Sequence, residues 1–342
     1  MPQLRYLDAA EVAAAMPSLS DRLALAEQVL CALGADAEMP AKIGVHPRQA
    51  GSLAQAMPAL LRGSAVDGSD DLIGMKWIAG FPANPTLALA TYNALVLLND
   101  PRNGLPLAIL DAAAITAQRT AAVSGAAMRA LSPSIAGRAA RVAVLGAGAQ
   151  ARSHIPVIGH LLPSAEVAIT DLDPERSTAA VAAATTTPGI GSARAVASAR
   201  EAVDGADVVV SVVSFGSGRQ ALDPDWLGPE TLFVAVDYDM EAPAALAREA
   251  FFVVDERDQF LATRSATQFA GYPDPDATLG EVLRAGSQGS PGSAIRGGPQ
   301  ASPRRPGRIL VSHLGVGLAD VVFASAILAR AEQLGLGRLM PR

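Results

Sequence analysis

A chain of 342 residues with 27 basic and 33 acidic side chains, a formal net charge of -6 and 50% hydrophobic residues buries a large core. It also exceeds the size at which one core usually suffices, so two domains are expected. There is no excess of positive charge to hold a phosphate backbone, which argues against a nucleic-acid partner. The single cysteine, Cys31, cannot form an internal disulfide, and four histidines without an H-E-x-x-H or Cys/His cluster leave a metal site without support.

The opening MPQLRYLDAAE carries neither a basic leader nor a long apolar run, and later apolar stretches are short and interrupted. No signal peptide or membrane span is expected, and the cytoplasm is the expected location. Residues 7–33 read as helical. Asp8 is placed to cap a short helix, and Ser18 or Ser20 a second one with the stripe Leu23, Ala26, Leu30 and Leu33, ended by Gly34. Cys31 then reads as a buried thiol of that helix. After Pro40 the pattern turns to strands near 42–46, 53–60, 72–79, 94–98 and 106–110, broken at Asn84-Pro85 and Asn103-Gly104. Strands in succession without crossover helices predict an antiparallel or mixed sheet.

From Ala112 to Leu131 small helix formers dominate until Ser132-Pro133. Strands follow at 142–145, 166–170, 207–213, 231–236 and 251–254, with helices at 149–161 and 174–184, the alternation of a doubly wound parallel sheet. Residues 286–307 are too rich in Gly, Pro and Ser to fold alone and read as a mobile surface loop. A strand at 309–313 and a helix from Ala319 to Leu334 close the chain.

The segment RVAVLGAGAQARSH at 141–154 places Gly146, Gly148 and Ala151 in the spacing G-x-G-x-x-A between a strand and a helix. Gly146 permits the tight turn and Gly148 lets the backbone approach a pyrophosphate. Ala151 is small enough for helix and strand to pack, which leaves the helix N-terminus free for the phosphates. The next strand ends at Asp171, about where a carboxylate meets the ribose hydroxyls. A carboxylate there repels a 2′-phosphate, so NAD is expected over NADP, although Arg176 is placed to reach a phosphate if it is not a solvated helix residue. Ala149, Gln150, Ser211 and Ser214 read as lining the dinucleotide site, with Thr120 adding a phosphate contact.

Five segments together resemble the ornithine cyclodeaminase and mu-crystallin family: GMKWIAGFPANP at 74–85, LVLLNDPRNGLPLAILDAAAITAQRTAAVSGAA at 95–127, VAVLGAGAQARSH at 142–154, AVDYDM at 235–240 and HLGVGLADVVFASAI at 313–327. The resemblance covers nearly the whole chain. It implies an α/β fold, with a Rossmann-type doubly wound nucleotide domain over 131–310. The second domain is a noncontiguous α+β substrate and dimerisation domain, formed by 1–130 and the returning segment 311–342. It also implies a homodimer and hydride exchange between a nicotinamide and the carbon that bears an amine.

Reducing an imino acid, or oxidising an amino acid, needs a fixed carboxylate, an acid/base group and at least one cation. The resemblance assigns Arg119 to the substrate carboxylate, which a guanidinium grips through two parallel hydrogen bonds. It assigns Lys76 to the active site beside that carboxylate, and Lys42 to a further basic position. Asp239 matches the catalytic aspartate that moves the proton, with Asp237 as its rival. Thr91 contacts substrate or nicotinamide, or is a buried helix threonine. Asp320 and Gly315 match the family's C-terminal segment, or Asp320 caps the last helix.

One position departs from the pattern. Ornithine cyclodeaminases carry a glutamate two residues before a Met-Pro pair, and here Gln55 precedes Met57-Pro58. A neutral amide does not pair with a distal ammonium as a carboxylate does. The expected activity is therefore an NAD-dependent oxidoreductase interconverting an L-amino acid, or an N-substituted one, with its imino or keto acid. Ornithine or lysine cyclodeaminase, releasing ammonia and recycling NAD, is the alternative. A third is a nucleotide-dependent binding protein for a small ligand.

Overall fold

The computed structural model describes residues 3–341 except 136, 217, 267 and 288–306; most of the loop expected over 286–307 thus lies outside the described residues. The described chain divides into two compact units, one formed by 1–119 with 315–342, the other by 120–314.

The first unit begins with β1 (Gln3–Leu7), α1 (Ala9–Ala14) and α2 (Leu19–Ala32). Asp8 caps α1 by accepting from the amides of Ala10 and Glu11, and Glu11 returns a bond to the Asp8 amide at 3.0 Å, a capping box. Ser18, not Ser20, caps α2. The sheet then runs β2 (Ala37–Glu38), β3 (Ile43–Val45), β4 (Leu53–Leu61), β5 (Leu72–Gly80), β6 (Tyr92–Asn99) and β7 (Pro106–Asp111). Strands β4 to β7 form an antiparallel meander. α3 (Ala113–Leu131) carries the chain from this unit into the second.

The second unit contains β8 (Arg141–Leu145), α4 (Ala149–Leu161), β9 (Ala165–Thr170), α5 (Pro174–Thr185), β10 (Ile190–Ala195), α6 (Ala199–Val203), β11 (Val208–Ser211), β12 (Leu232–Ala235), α7 (Ala244–Glu249), β13 (Phe251–Val254), α8 (Arg257–Ser265), β14 (Ala277–Thr278), α9 (Leu279–Ser287) and β15 (Ile309–Ser312). Its strands lie in the order β10-β9-β8-β11-β12-β15-β13-β14, and every pairing is parallel. The order reverses between β8 and β11, the place where open α/β sheets bind ligands at their carboxyl edge. Buried strands of Val, Leu and Phe fill the sheet interior, as both faces are covered.

The chain returns to the first unit through α10 (Gly317–Gln333) and β16 (Arg338–Pro341). α10 packs on β4, β5, β6 and α2, and the inward side chains of β5 and β6 meet it. The opposite face of that sheet leaves Ile73, Trp77, Leu95 and Leu107 exposed. No helix among the described residues is long and apolar enough to cross a membrane.

Several expectations change here. The residues before the expected helical segment form β1, which takes in Leu7 and pairs with β7 and, through Gln3 opposite Pro341, with β16. The two compact units meet at 119/120, inside α3, and at 314/315, between β15 and α10. Cys31 is half-buried, since one helical step turns it away from the stripe of Leu23, Ala26 and Leu30.

Candidate functional site

In the second unit β8 runs into Gly146, whose φ is +95°. A Cβ there would lie 2.8 Å from the Val212 carbonyl oxygen after β11, so only glycine fits this turn. Gly148 follows as the N-cap of α4 with no side chain capping the helix, and a Cβ at Gly148 would meet nothing within 4 Å. The first amides of α4 therefore face open space, which suits a phosphate. Ala151 is fully buried beneath them, while Ala149 is exposed and Gln150 is half-buried with its Oε1 unpartnered.

Asp171 follows β9 directly and is half-buried. Its Oδ2 accepts from the Ala147 amide at 2.7 Å and its Oδ1 from the Asp173 amide at 2.9 Å, so the carboxylate is held against the glycine turn with lone pairs left for hydroxyl donors. Arg176 is exposed and 3.4 Å from Asp173, a surface pair. These residues fit a dinucleotide: open helix amides, a turn closed to side chains, and a carboxylate at the end of the second strand.

Beyond β12 the backbone turns through Tyr238, whose φ is +63°, a conformation that L side chains adopt only at a cost. Tyr238 stacks on Phe269 with ring centroids 5.8 Å apart, and Phe269 packs against Phe260 and Tyr272. This aromatic cluster holds Asp237 and Asp239 on either side of the turn. Asp239 is buried, accepts from the Phe269 amide at 3.0 Å and pairs with Arg219. Asp237 is buried with no cation paired to it among the described residues: its Oδ2 accepts from the Ser211 hydroxyl and its Oδ1 is unpartnered. Burial pushes the Asp237 carboxyl up to about 7, the Ser211 bond opposing. The two rival aspartates thus have different surroundings. Ser214 is exposed.

In the first unit, register sets Lys76 opposite Met57 on β4 and Val96 on β6, and only 1% of it is exposed. This lysine is therefore a core residue and not a solvent-facing one. Its Nζ lies 2.8 Å from Oδ2 of Asp320 on α10. The other carboxylate oxygen is 3.1 Å from Nε of Arg119 on α3, and Arg119 is 5% exposed, not solvent-facing. Arg119 Nη1 is buried without an acceptor. Burial, then the Arg119 charge, push the Lys76 ammonium down to about 7, with Asp320 opposing. Asp320 does not cap α10, whose N-cap is Val316.

Lys42 sits half-buried just before β3 and acts electrostatically on Lys76. Gln55 on β4 pairs with Gly44, its side chain lying over that glycine. Thr91 is at a bend before β6, half-buried, and is not a helix threonine. Thr120 is buried on α3. Lys76 and Arg119 are thus brought together, with Asp320 between them. The first unit holds these two, Lys42, Gln55 and Thr91; the dinucleotide turn, Asp171, Thr120, Ser211 and Asp239 belong to the second.

A profile of the Ornithine cyclodeaminase/mu-crystallin family matches residues 9–291. The chain belongs to this family. Nodulation efficiency protein NfeD of Rhizobium meliloti is 32% identical over 351 aligned positions, covering 98% of both chains. The ketimine reductase mu-crystallin of Mus musculus is 32% identical over 223 positions, covering 64% of this chain and 68% of the mouse protein. Among solved structures, the Delta(1)-pyrroline-2-carboxylate reductase of Thermococcus litoralis, in complex with NADH and L-proline, superposes with a TM-score of 0.79. It is 21% identical and covers 98% of this chain and 99% of its own. The resemblance read from the motifs is therefore established, as is the α/β fold.

Two polar groups in this family member have contacts that the sequence did not show. Ser124 on α3 lies 2.8 Å from Nε2 of both His154 and His313. His154 Nδ1 meets the Gln150 carbonyl at 2.7 Å, and burial lowers its pKa to about 4. The neutral ring thus donates from Nδ1 and accepts the Ser124 hydroxyl at Nε2, and His313 donates to the serine oxygen. The other is Asp320 itself, whose partners lie 244 and 201 positions away in the chain.

Proposed function

We propose that the protein is an NAD(H)-dependent oxidoreductase that interconverts an L-amino acid, or an N-substituted one, with its imino or keto acid, and that it works as a homodimer. The carrying observation is the buried Lys76–Asp320–Arg119 cluster, which leaves one guanidinium nitrogen without an acceptor. Leaving a buried donor unsatisfied costs about 1–3 kcal/mol, and an anionic ligand removes that cost. The dinucleotide turn in the same chain supports a redox partner for that ligand. The cofactors named with related proteins, NADH in the pyrroline carboxylate reductase complex among them, agree with Asp171 in favouring NAD over NADP.

When bound, the nicotinamide supplies or takes the hydride at the alpha carbon. Arg119 and Lys76 hold the carboxylate, with Lys42 adding positive potential. Gln55 faces the side chain of the substrate and offers no charge to a distal ammonium. Asp239 moves the proton at the substrate nitrogen. The exposed apolar face of Ile73, Trp77, Leu95 and Leu107 is of the kind that a second copy covers.

The test is NADH absorbance with purified protein, NAD⁺ and a panel of L-amino acids including ornithine and lysine, with product masses recorded. Net NADH formation with a keto or imino acid product is expected. Proline or pipecolate without net NADH would replace this reading with a cyclodeaminase. Dinucleotide binding with no turnover of any acid would replace it with a binding protein.

A further inference from the structure

The Asp320 carboxylate is completely buried, a placement that is costly unless the charge is compensated. It has two compensating partners, one on each oxygen: Lys76 Nζ at 2.8 Å and Arg119 Nε at 3.1 Å. It lies in the first turn of α10, where the positive end of the helix favours a negative charge. Its hold on Arg119 uses the Nε edge alone. On the other side, the backbone of Gly315 is pressed against the guanidinium: a Cβ there would stand 2.4 Å from Nη1 and 2.9 Å from Nη2. The guanidinium is therefore gripped at Nε and backed by Gly315, and its buried Nη1 is left without an acceptor.

We propose that Asp320 is a positioning residue: it orients Lys76 and Arg119 together before any ligand arrives, so that a carboxylate meets two cations already set and a local charge of one positive unit. This deepens the functional reading above and rests on it. A fixed array of donors loses little reorganisation energy when the anion binds, whereas two long, unrestrained cationic side chains would have to be ordered by the ligand itself.

With the charge at position 76 held constant, a positioning role and a purely electrostatic role predict opposite signs. Asp320 is an anion beside an anion site, so if it acted by charge alone its removal would tighten carboxylate binding. If it positions, removal loosens binding in spite of the lost repulsion. The groups that face Lys76 are Arg119 from α3, Asp320 from α10 and Lys42 from the segment before β3. Binding of a carboxylate needs Lys76 charged. Affinity therefore falls with pH above the Lys76 midpoint of about 7, and loss of Asp320, which supports the charged form, moves that fall to lower pH.

The experiment is isothermal titration of the full-length protein, saturated with NADH, with pyrrole-2-carboxylate and with uncharged pyrrole-2-carboxamide between pH 6 and 9. Wild-type protein is expected to prefer the carboxylate by at least about tenfold. Asp320→Asn is expected to weaken the carboxylate at least about tenfold, leave the carboxamide within about twofold, and shift the alkaline fall down by about one pH unit.

Removing one member of a buried pair endangers folding, so Lys76→Met is compared with Lys76→Met/Asp320→Asn, in which no lysine charge is left to set the pH dependence. The double variant is expected to bind the carboxylate about tenfold more weakly than the single one. Carboxylate binding that is unchanged or tighter on loss of Asp320, in either background, overturns the positioning role alone. Wild-type protein that does not distinguish the two probes overturns the carboxylate reading of the cluster and the proposal with it.

Discussion

Replacing Gly315 by alanine tests whether this backbone position holds Arg119 in place. The φ of Gly315 is +82°, so an alanine there carries a left-handed penalty of about 1–2 kcal/mol. The larger effect is the collision. The new Cβ would stand 2.4 Å from Nη1, and ordinary contact needs about 3.4 Å, so the guanidinium must retreat by about 1 Å. A misplacement of that size in a group that orients substrate costs about 100-fold, and kcat/KM for an acid substrate is expected to fall by that factor, mostly through KM.

Gly104→Ala is the matched control: φ is +74° and a Cβ there meets nothing within 4 Å. It is expected to lose the backbone penalty in urea denaturation and to keep wild-type kinetics. Steady-state rates and denaturation midpoints of both variants decide the matter. A Gly315→Ala protein whose KM stays within about twofold of wild type refutes the argument that Gly315 backs the carboxylate-binding arginine.

Asp239→Asn is expected to lower kcat by about 100-fold or more while NADH binding, followed by fluorescence, is kept; unchanged turnover would remove Asp239 from the proton path. Asp171→Ser removes the carboxylate held at the Ala147 amide and is expected to relax the preference for NAD over NADP at least about tenfold in kcat/KM, and an unaltered ratio would count against it. Folded Asp237 holds its proton up to about pH 7, while the unfolded chain releases it near 4, so this group makes wild-type stability fall as pH rises through that window. Asp237→Asn is expected to gain in Tm over wild type from pH 5 to pH 8, and a constant difference across that range would contradict the assignment. Trp77→Arg places a charge on the exposed apolar face and is expected to shift the protein from dimer to monomer in sedimentation; an unchanged dimer would place the interface elsewhere.

The meander from β4 to β7, the glycine turn after β8 and the helices α2, α3 and α10 were legible because each is a local pattern. Alternation, a stripe at spacings of three and four, or a glycine spacing can be read within a dozen residues. β1 and β16 were not read, since each is short and its pairing partner lies far away in the chain: β16 is an edge strand held by β1 from the other end, and β1 lies between β16 and β7. β10 was missed because all six of its residues are half-buried or exposed, so it shows no apolar run.

Residue types and motifs alone determined the family, the α/β class, the dinucleotide turn and the expectation that Lys76, Arg119 and Asp239 carry the chemistry. The sequence left Asp320 open between a helix cap and a site residue, and did not show what surrounds Lys76 and Arg119. Only the tertiary structure decided these, because the energy of a buried charge depends on what surrounds it. Positions 76, 119 and 320 become neighbours only when β5, the end of the first unit's share of α3, and α10 pack into one unit.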